Sequence, residues 1–177
     1  MRIVGGTYKS RVLLEFKGNA VRPTADKVRE SLFNILQNRI YGSDFLDLFS
    51  GTGAMGIEAV SRGAKSVTFN DKSRESIELI KKNLEKLGIR DGVKVVNFDA
   101  ESLLSVSLDK FDIVYIDPPY KSDFGEKALK VASRVLNKNG IVVYENEKPF
   151  SGEVDGLIKY DERKYGRVYL TFFKGVE

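Results

Sequence analysis

Residues 45–63 read FLDLFSGTGAMGIEAVSRG. Phe45–Phe49 is a short apolar run of strand character, and Gly51, Gly53 and Gly56 follow in G-x-G-x-x-G spacing. From about Ala54 to Arg62 the pattern is helical, with Gly63 as its stop. Glycines in such a turn let the backbone bend tightly and bring amide N–H groups against a ligand, with a helix N-terminus behind them. Dinucleotide sites use this spacing, and so do sites for other adenosyl cofactors.

Working outward, the same alternation repeats. Ser66–Asn70 reads as a second strand ending at Asp71, and an amphipathic helix (Ile77, Ile80, Leu84, Leu87) ends at Gly88. Val93–Phe98 is a third strand ending at Asp99, and Phe111–Ile116 a fourth ending in DPPY. A helix near Gly125–Leu136 leads to a fifth strand, Ile141–Tyr144, and the stretches Leu157–Arg163 and Arg167–Phe173 flank Tyr165-Gly166 as a hairpin. This order predicts an α/β fold: a mostly parallel seven-stranded sheet, helices on both faces, and an antiparallel strand near one edge. The closing hairpin argues against two repeated mononucleotide-binding halves. Upstream, Arg2–Val4 and Arg11–Phe16 flank Gly5-Gly6 as a small β-hairpin or extended arm. RPTADKVRESLFNIL then reads as a helix, with Pro23 preceding it, Thr24 as N-cap, and Val28, Leu32, Ile35 and Leu36 on one face. We therefore expect a hairpin-and-helix extension, residues 1–40, packed on a core of residues 41–177.

Composition narrows the chemistry. A 177-residue chain with 42% hydrophobic and 31% charged residues is an ordinary globular domain rather than a disordered one. No apolar run approaches the roughly 20 residues of a membrane span, and the basic start MRIVGGTYKS lacks the apolar stretch of a signal peptide. With no cysteine and no histidine, disulfides, thiolate metal sites and histidine bases are excluded, and no metal is expected. Carboxylates, backbone groups, aromatics and a cofactor must do the work. The net charge is +4, and residues 1–40 set eight lysines and arginines against three acids. That basic extension points to a polyanionic partner.

In open α/β sheets, ligands bind beyond the carboxyl ends of the strands. Four successive strand ends deliver a carboxylate there: Asp47, Asp71, Asp99 and Asp117. Beside Asp47 stand Phe49, Ser50, Gly51 and Gly53; Lys72 follows Asp71, and Ala100 follows Asp99. Asp71 lies 18 residues past Gly53, close to the spacing at which an acid takes ribose hydroxyls, and Asp99 is placed to accept from an adenine amine. These features leave the adenosyl cofactor open. The fourth strand decides it. In Asp117-Pro118-Pro119-Tyr120 the prolines fix φ and remove two backbone donors. The Asp117 carboxylate and Pro118 carbonyl are then free to accept both hydrogens of an exocyclic NH₂, while Tyr120 offers a face for stacking a nucleobase.

DLFSGTGAMG, FND, NFDA and DPPY, in this order, resemble Rossmann-like methyltransferases that use S-adenosyl-L-methionine and act on exocyclic amines. RIVGG, RPTADKVRESLFNIL, LDLFSGTGAMGIEAVSRGA and the late KYG extend the likeness over nearly the whole chain. Together they resemble the bacterial small-subunit ribosomal RNA guanine-N2 methyltransferases called RsmD. One departure is Asn70-Asp71, where a hydrophobic residue usually precedes the acid. The resemblance implies methylation of N2 of one guanine in 16S rRNA, on an assembled or assembling small subunit, by a cytoplasmic monomer. It makes Arg2, Lys9, Arg11, Arg22 and Arg29 candidates for holding the RNA backbone, with Thr24 closing over cofactor and base. Rival readings are an adenine-N6 methyltransferase of DNA or RNA, a nicotinamide-dependent dehydrogenase, and a non-catalytic RNA-binding assembly factor.

Overall fold

The computed structural model describes residues 1–17, 23–119 and 122–176; the side chains of 23–25 also lie outside that description. In chain order the elements are α1 (Pro23–Ile35), α2 (Gln37–Ile40), β1 (Asp44–Asp47), α3 (Ala54–Ser61), β2 (Ser66–Asn70), α4 (Arg74–Leu87) and β3 (Val93–Val96). There follow α5 (Ala100–Val106), β4 (Phe111–Ile116), α6 (Phe124–Ala132), a 3₁₀ turn, β5 (Leu136–Asn146), β6 (Leu157–Tyr165) and β7 (Val168–Gly175). The seven strands form one sheet in the order β3-β2-β1-β4-β5-β7-β6. The first five run parallel, and β7 is antiparallel to both β5 and β6. Strand order reverses between β1 and β4, which opens a crevice at their carboxyl ends.

Both sheet faces are covered, so the central strands are apolar throughout. Phe45, Tyr115, Val143 and Phe172 pack with α1, α3 and α4, whereas Leu46, Val114, Val142, Tyr144 and Phe173 pack with α5 and α6. The expected sheet, with its antiparallel strand beside one edge, is the one observed. Three details differ. Helix α5 was not anticipated: AESLLSV is short and weakly amphipathic, and its start is set by Asp99, whose Oδ1 accepts from Ser102 N at 3.3 Å. Strand β5 begins at Leu136, five residues before the apolar run, through Asn139 at φ 65°. Helix α1 starts at Pro23, so Thr24 lies inside it rather than at its cap.

The N-terminal arm is also not a regular hairpin. Its two limbs share one isolated bridge, Arg2 with Val12. The reason lies in where its amides go. Val4 N and Gly5 N donate to the Glu58 carboxylate at 2.9 and 2.8 Å, and Tyr8 N donates to Ser61 Oγ. Leu14 exchanges both backbone groups with the buried Asn83, whose Nδ2 also donates to the Thr52 carbonyl. Ile3 N and Leu13 N do donate across the limbs, to the Arg11 and Met1 carbonyls, but the amides that follow them are spent on side chains of α3 and α4, so the pairing goes no further. Ile3 and Leu13 join the same core layer as Phe33 and Phe45.

Glu58 is fully buried and is flanked by two guanidiniums, Arg62 Nε at 2.8 Å and Arg29 Nε at 3.4 Å. Removing one member of a buried ion pair leaves the other charged and unsatisfied. Glu58→Ala should therefore lose about 3–5 kcal/mol of unfolding free energy in urea titration. A loss below about 1 kcal/mol would mean that the arm docks by apolar contact alone.

Candidate active site

Strand register assembles the site. Asp47 pairs with Tyr115 across β1 and β4, and Tyr115 pairs with Val143 across β4 and β5. Residues two apart on a strand share a face, which puts Asp47, Tyr115, Asp117 and Glu145 on one face at adjacent strand ends. Above that face lies a cavity of about 770 Å³, within the range of small-molecule sites. Its floor is Tyr115, Asp117 and Glu145; one wall is the loop Phe49–Thr52 with Ala54 and Met55. Val28 and Arg29 of α1 form a second wall, and the hairpin tip Gly166–Val168 a third. An adjoining recess of about 40 Å³ lies among Asp117, Pro118, Pro119, Ser122, Tyr144 and Glu145.

The glycine loop leaves room for a ligand. Gly51 has φ 52°, and a Cβ there would meet nothing within 4 Å, so the space in front of it belongs to the cavity. Gly53 caps α3 at φ 82°, the left-handed conformation that favours glycine. The amides of Ala54 and Met55 find no partner among the described residues. Behind the loop, Asp47 Oδ2 accepts from Gly56 N at 3.0 Å and Ser50 Oγ donates to the Asp47 carbonyl at 2.8 Å. Asp71 braces the loop from β2, accepting from Gly51 N and from Ser73 N, each at 2.8 Å. The unusual Asn70 is a buried clip: Nδ2 donates to the Leu48 and Phe98 carbonyls, and Oδ1 accepts from Phe98 N.

Of the residues expected to hold a cofactor, Phe49, Ser50, Gly51 and Asp117 line the cavity directly. Asp47, Gly53 and Asp71 shape its loop from behind. Lys72 and Asp99 meet at 3.9 Å on the next part of the rim, where Asn97 Nδ2 binds the Asp71 and Lys72 carbonyls and Ala100 opens α5. Pro118 and Pro119 extend the rim; Ser122 Oγ donates to the Pro119 carbonyl at 2.7 Å, while the Pro118 carbonyl has no partner among the described residues. Gly125 lets α6 pass close, since a Cβ there would fall 2.5 Å from Pro118 Cγ. Tyr120, Arg22 and the Thr24 side chain lie outside the described residues.

Arg2, Lys9 and Arg11 are exposed on the arm. Arg29 is a correction: at 3% exposure it donates to the Arg2 carbonyl and to Asp26, and it pairs with Glu58. Its charge is committed to the interior, so it is not a surface anchor for a phosphate. Glu145 and Arg167 were not singled out in the sequence. The strand-end rule that selects Asp117 also selects Glu145, directly after the apolar run IVVY.

The electrostatics of this face are unusual. Burial raises Asp47 to about 7, opposed by the Gly56 hydrogen bond, and its Oδ1 is buried with no partner. Burial also raises Asp117, and the Glu145 and Asp47 charges add to that. Glu145 is raised by burial too, partly offset by the hydroxyl of Tyr115, which donates to its Oε2. Neither Asp117 nor Glu145 has an ion-pair partner among the described residues. The floor of the cavity thus presents acceptors that suit a ligand bringing N–H donors, while Arg29 and Arg167 stand in its other walls.

The sequence matches, over residues 1–174, the model of a family described as Conserved hypothetical protein 95. YlbH of Bacillus subtilis is 33% identical over 181 residues, spanning 98% of each chain. Ribosomal RNA small subunit methyltransferase D of Haemophilus influenzae is 35% identical over 153 residues, spanning 84% of this chain and 79% of the relative. Among solved structures, yhhF from Escherichia coli superposes with a TM-score of 0.88 at 31% identity, covering 99% of this chain and 97% of the other.

Asp47 carries a pH signature. Its folded value of about 7 lies above the ordinary 3.8, so the folded state holds a proton that the unfolded state releases. The associated stability is complete below about pH 4 and is lost as pH rises to about 7. Asp47→Asn cannot titrate. Its stability relative to wild type should climb by up to about 4 kcal/mol between about pH 4 and pH 8, read from urea midpoints. Parallel pH profiles for the two proteins would refute the assignment.

Proposed function

The chain belongs to the family described as Conserved hypothetical protein 95, and on that premise we propose that it methylates the exocyclic N2 amine of one guanine in 16S rRNA of the small ribosomal subunit, using S-adenosyl-L-methionine. The observation that carries the reading is Asp117: a carboxylate with no cation partner among the described residues, at a strand end beside a glycine loop, followed by two prolines. The relative from Haemophilus influenzae supports the ribosomal RNA substrate by its name.

The residues fit the cofactor. Loop Phe49–Gly53 and the amides of Ala54 and Met55 would receive its carboxylate end, while Asp71, Lys72, Asp99 and Ala100 would receive the adenosyl end. The Asp117 and Glu145 carboxylates on the cavity floor favour its sulfonium charge. When bound, S-adenosylmethionine supplies a methyl group already activated on a sulfonium. The protein's own work is then alignment. Asp117 and the Pro118 carbonyl accept the two amine hydrogens, which draws the nitrogen towards tetrahedral geometry and frees its lone pair. After transfer the surplus amine proton passes to Asp117 or to water, which is why no histidine is required. Tyr120 would stack on a base flipped out of its RNA context, worth roughly 1–3 kcal/mol. Arg2, Lys9 and Arg11, with Arg22 and Thr24, would hold the RNA next to the cavity.

Asp117→Ala should lower methyl transfer to small-subunit particles by roughly 100- to 10,000-fold. S-adenosylhomocysteine should still raise the melting temperature of the variant. Transfer at near wild-type rate would remove Asp117 from the mechanism. Nucleoside mass spectrometry of 16S rRNA, with and without the protein, should show N2-methylguanosine lost at one position. A change in N6-methyladenosine instead would identify the adenine rival.

A further inference from the structure

We propose that Glu145 reads the target base: its carboxylate accepts the ring N1–H of guanine while Asp117 engages the neighbouring N2 amine, so that the pocket takes guanine and refuses adenine. This rests on the guanine-N2 reading above. Glu145 follows Tyr144, the register partner of Ile116, just as Asp117 follows Ile116. The two carboxylates therefore stand side by side on neighbouring parallel strands, on the same sheet face, about 4.8 Å apart in backbone spacing. Both line the main cavity, and both line the recess beside Pro118 and Pro119.

Glu145 is also held in place. Tyr115 is 2% exposed, and its hydroxyl donates to Oε2. Oε1 has no partner among the described residues, so one oxygen is anchored and the other is available. This arrangement gives a fixed acceptor directly beside the acceptor that takes the amine. Guanine presents two adjacent donors on its Watson–Crick edge, the N2 amine and N1–H. Adenine presents an amine next to a bare N1 lone pair. With the amine of either base on Asp117, ring N1 falls towards Glu145. Guanine then makes a second charge-assisted hydrogen bond, whereas adenine sets a lone pair against a carboxylate. Sites built to hydrogen-bond a group reject the analogue lacking it far more strongly than apolar pockets reject a shape.

The test uses the full chain and small-subunit particles reconstituted from rRNA carrying 2-aminopurine in place of the target guanine. That base keeps the N2 amine but has an unprotonated N1. Wild type should methylate guanine roughly 1,000-fold faster than 2-aminopurine. In Glu145→Gln the amide offers an N–H to ring N1, so the guanine rate should fall roughly 100-fold and the preference collapse to below about tenfold. Loss of the guanine O6 affects both enzymes alike, so the change in preference reports N1. A variant that keeps the wild-type preference overturns the proposal. So does wild type methylating 2-aminopurine within about threefold of guanine, and this second result decides the matter even if Glu145→Gln fails to fold. Absence of N2-methylguanosine from wild type on guanine particles would instead overturn the function on which the proposal rests.

Discussion

Glu58 must find donors for both of its oxygens, because a carboxylate with no exposure has no water to turn to. It finds them in Val4 N and Gly5 N of the arm and Arg62 Nε just past α3, and Arg29 of α1 adds an ion pair at 3.4 Å. That requirement brings α1 over the sheet, and α1 supplies Val28 and Arg29 to the cavity wall. Asn83 repeats the device one helix further on, joining Leu14 to Thr52 of the glycine loop. The roof of the site is thus held by buried polar groups whose alternatives are all worse.

The carboxylates of the neighbouring sheet face are treated in the opposite way. Asp47 keeps an orphaned oxygen, Asp117 and Glu145 have no cation partner among the described residues, and each is raised by burial. A fold that fully pairs Glu58 could have paired these too, and the contrast locates where the molecule holds acceptors in reserve. Such reserve is characteristic of binding sites, where the missing donors arrive with the ligand.

Much of this was legible beforehand, for identifiable reasons. Parallel strands buried on both faces appear as plain apolar runs, so Ser66–Asn70 and Phe111–Ile116 were bounded correctly. Strand-end acids mark the rim because the topology, rather than local propensity, puts them there. What escaped were features whose cause is non-local. The arm is not a ladder because α3 and α4 claim its amides, and Arg29 looks like any basic residue until Glu58 is seen beside it. Helix α5 is set by one capping aspartate rather than by a periodic apolar face. Glu145 was readable in principle: it follows the apolar run of the fifth strand as Asp117 follows that of the fourth.

The position of β7 has a further consequence. It lies between β5 and β6 although it is made after both, so β6 has no place in the sheet until β7 arrives. The same late segment, with Gly166, Arg167 and Val168, closes one side of the cavity. During synthesis from the N-terminus, the glycine loop, Asp117 and Glu145 therefore emerge well before the wall that encloses them. The reactive groups thus precede in the chain the hairpin that encloses them, and neither β6 nor that wall is in place until β7 has paired.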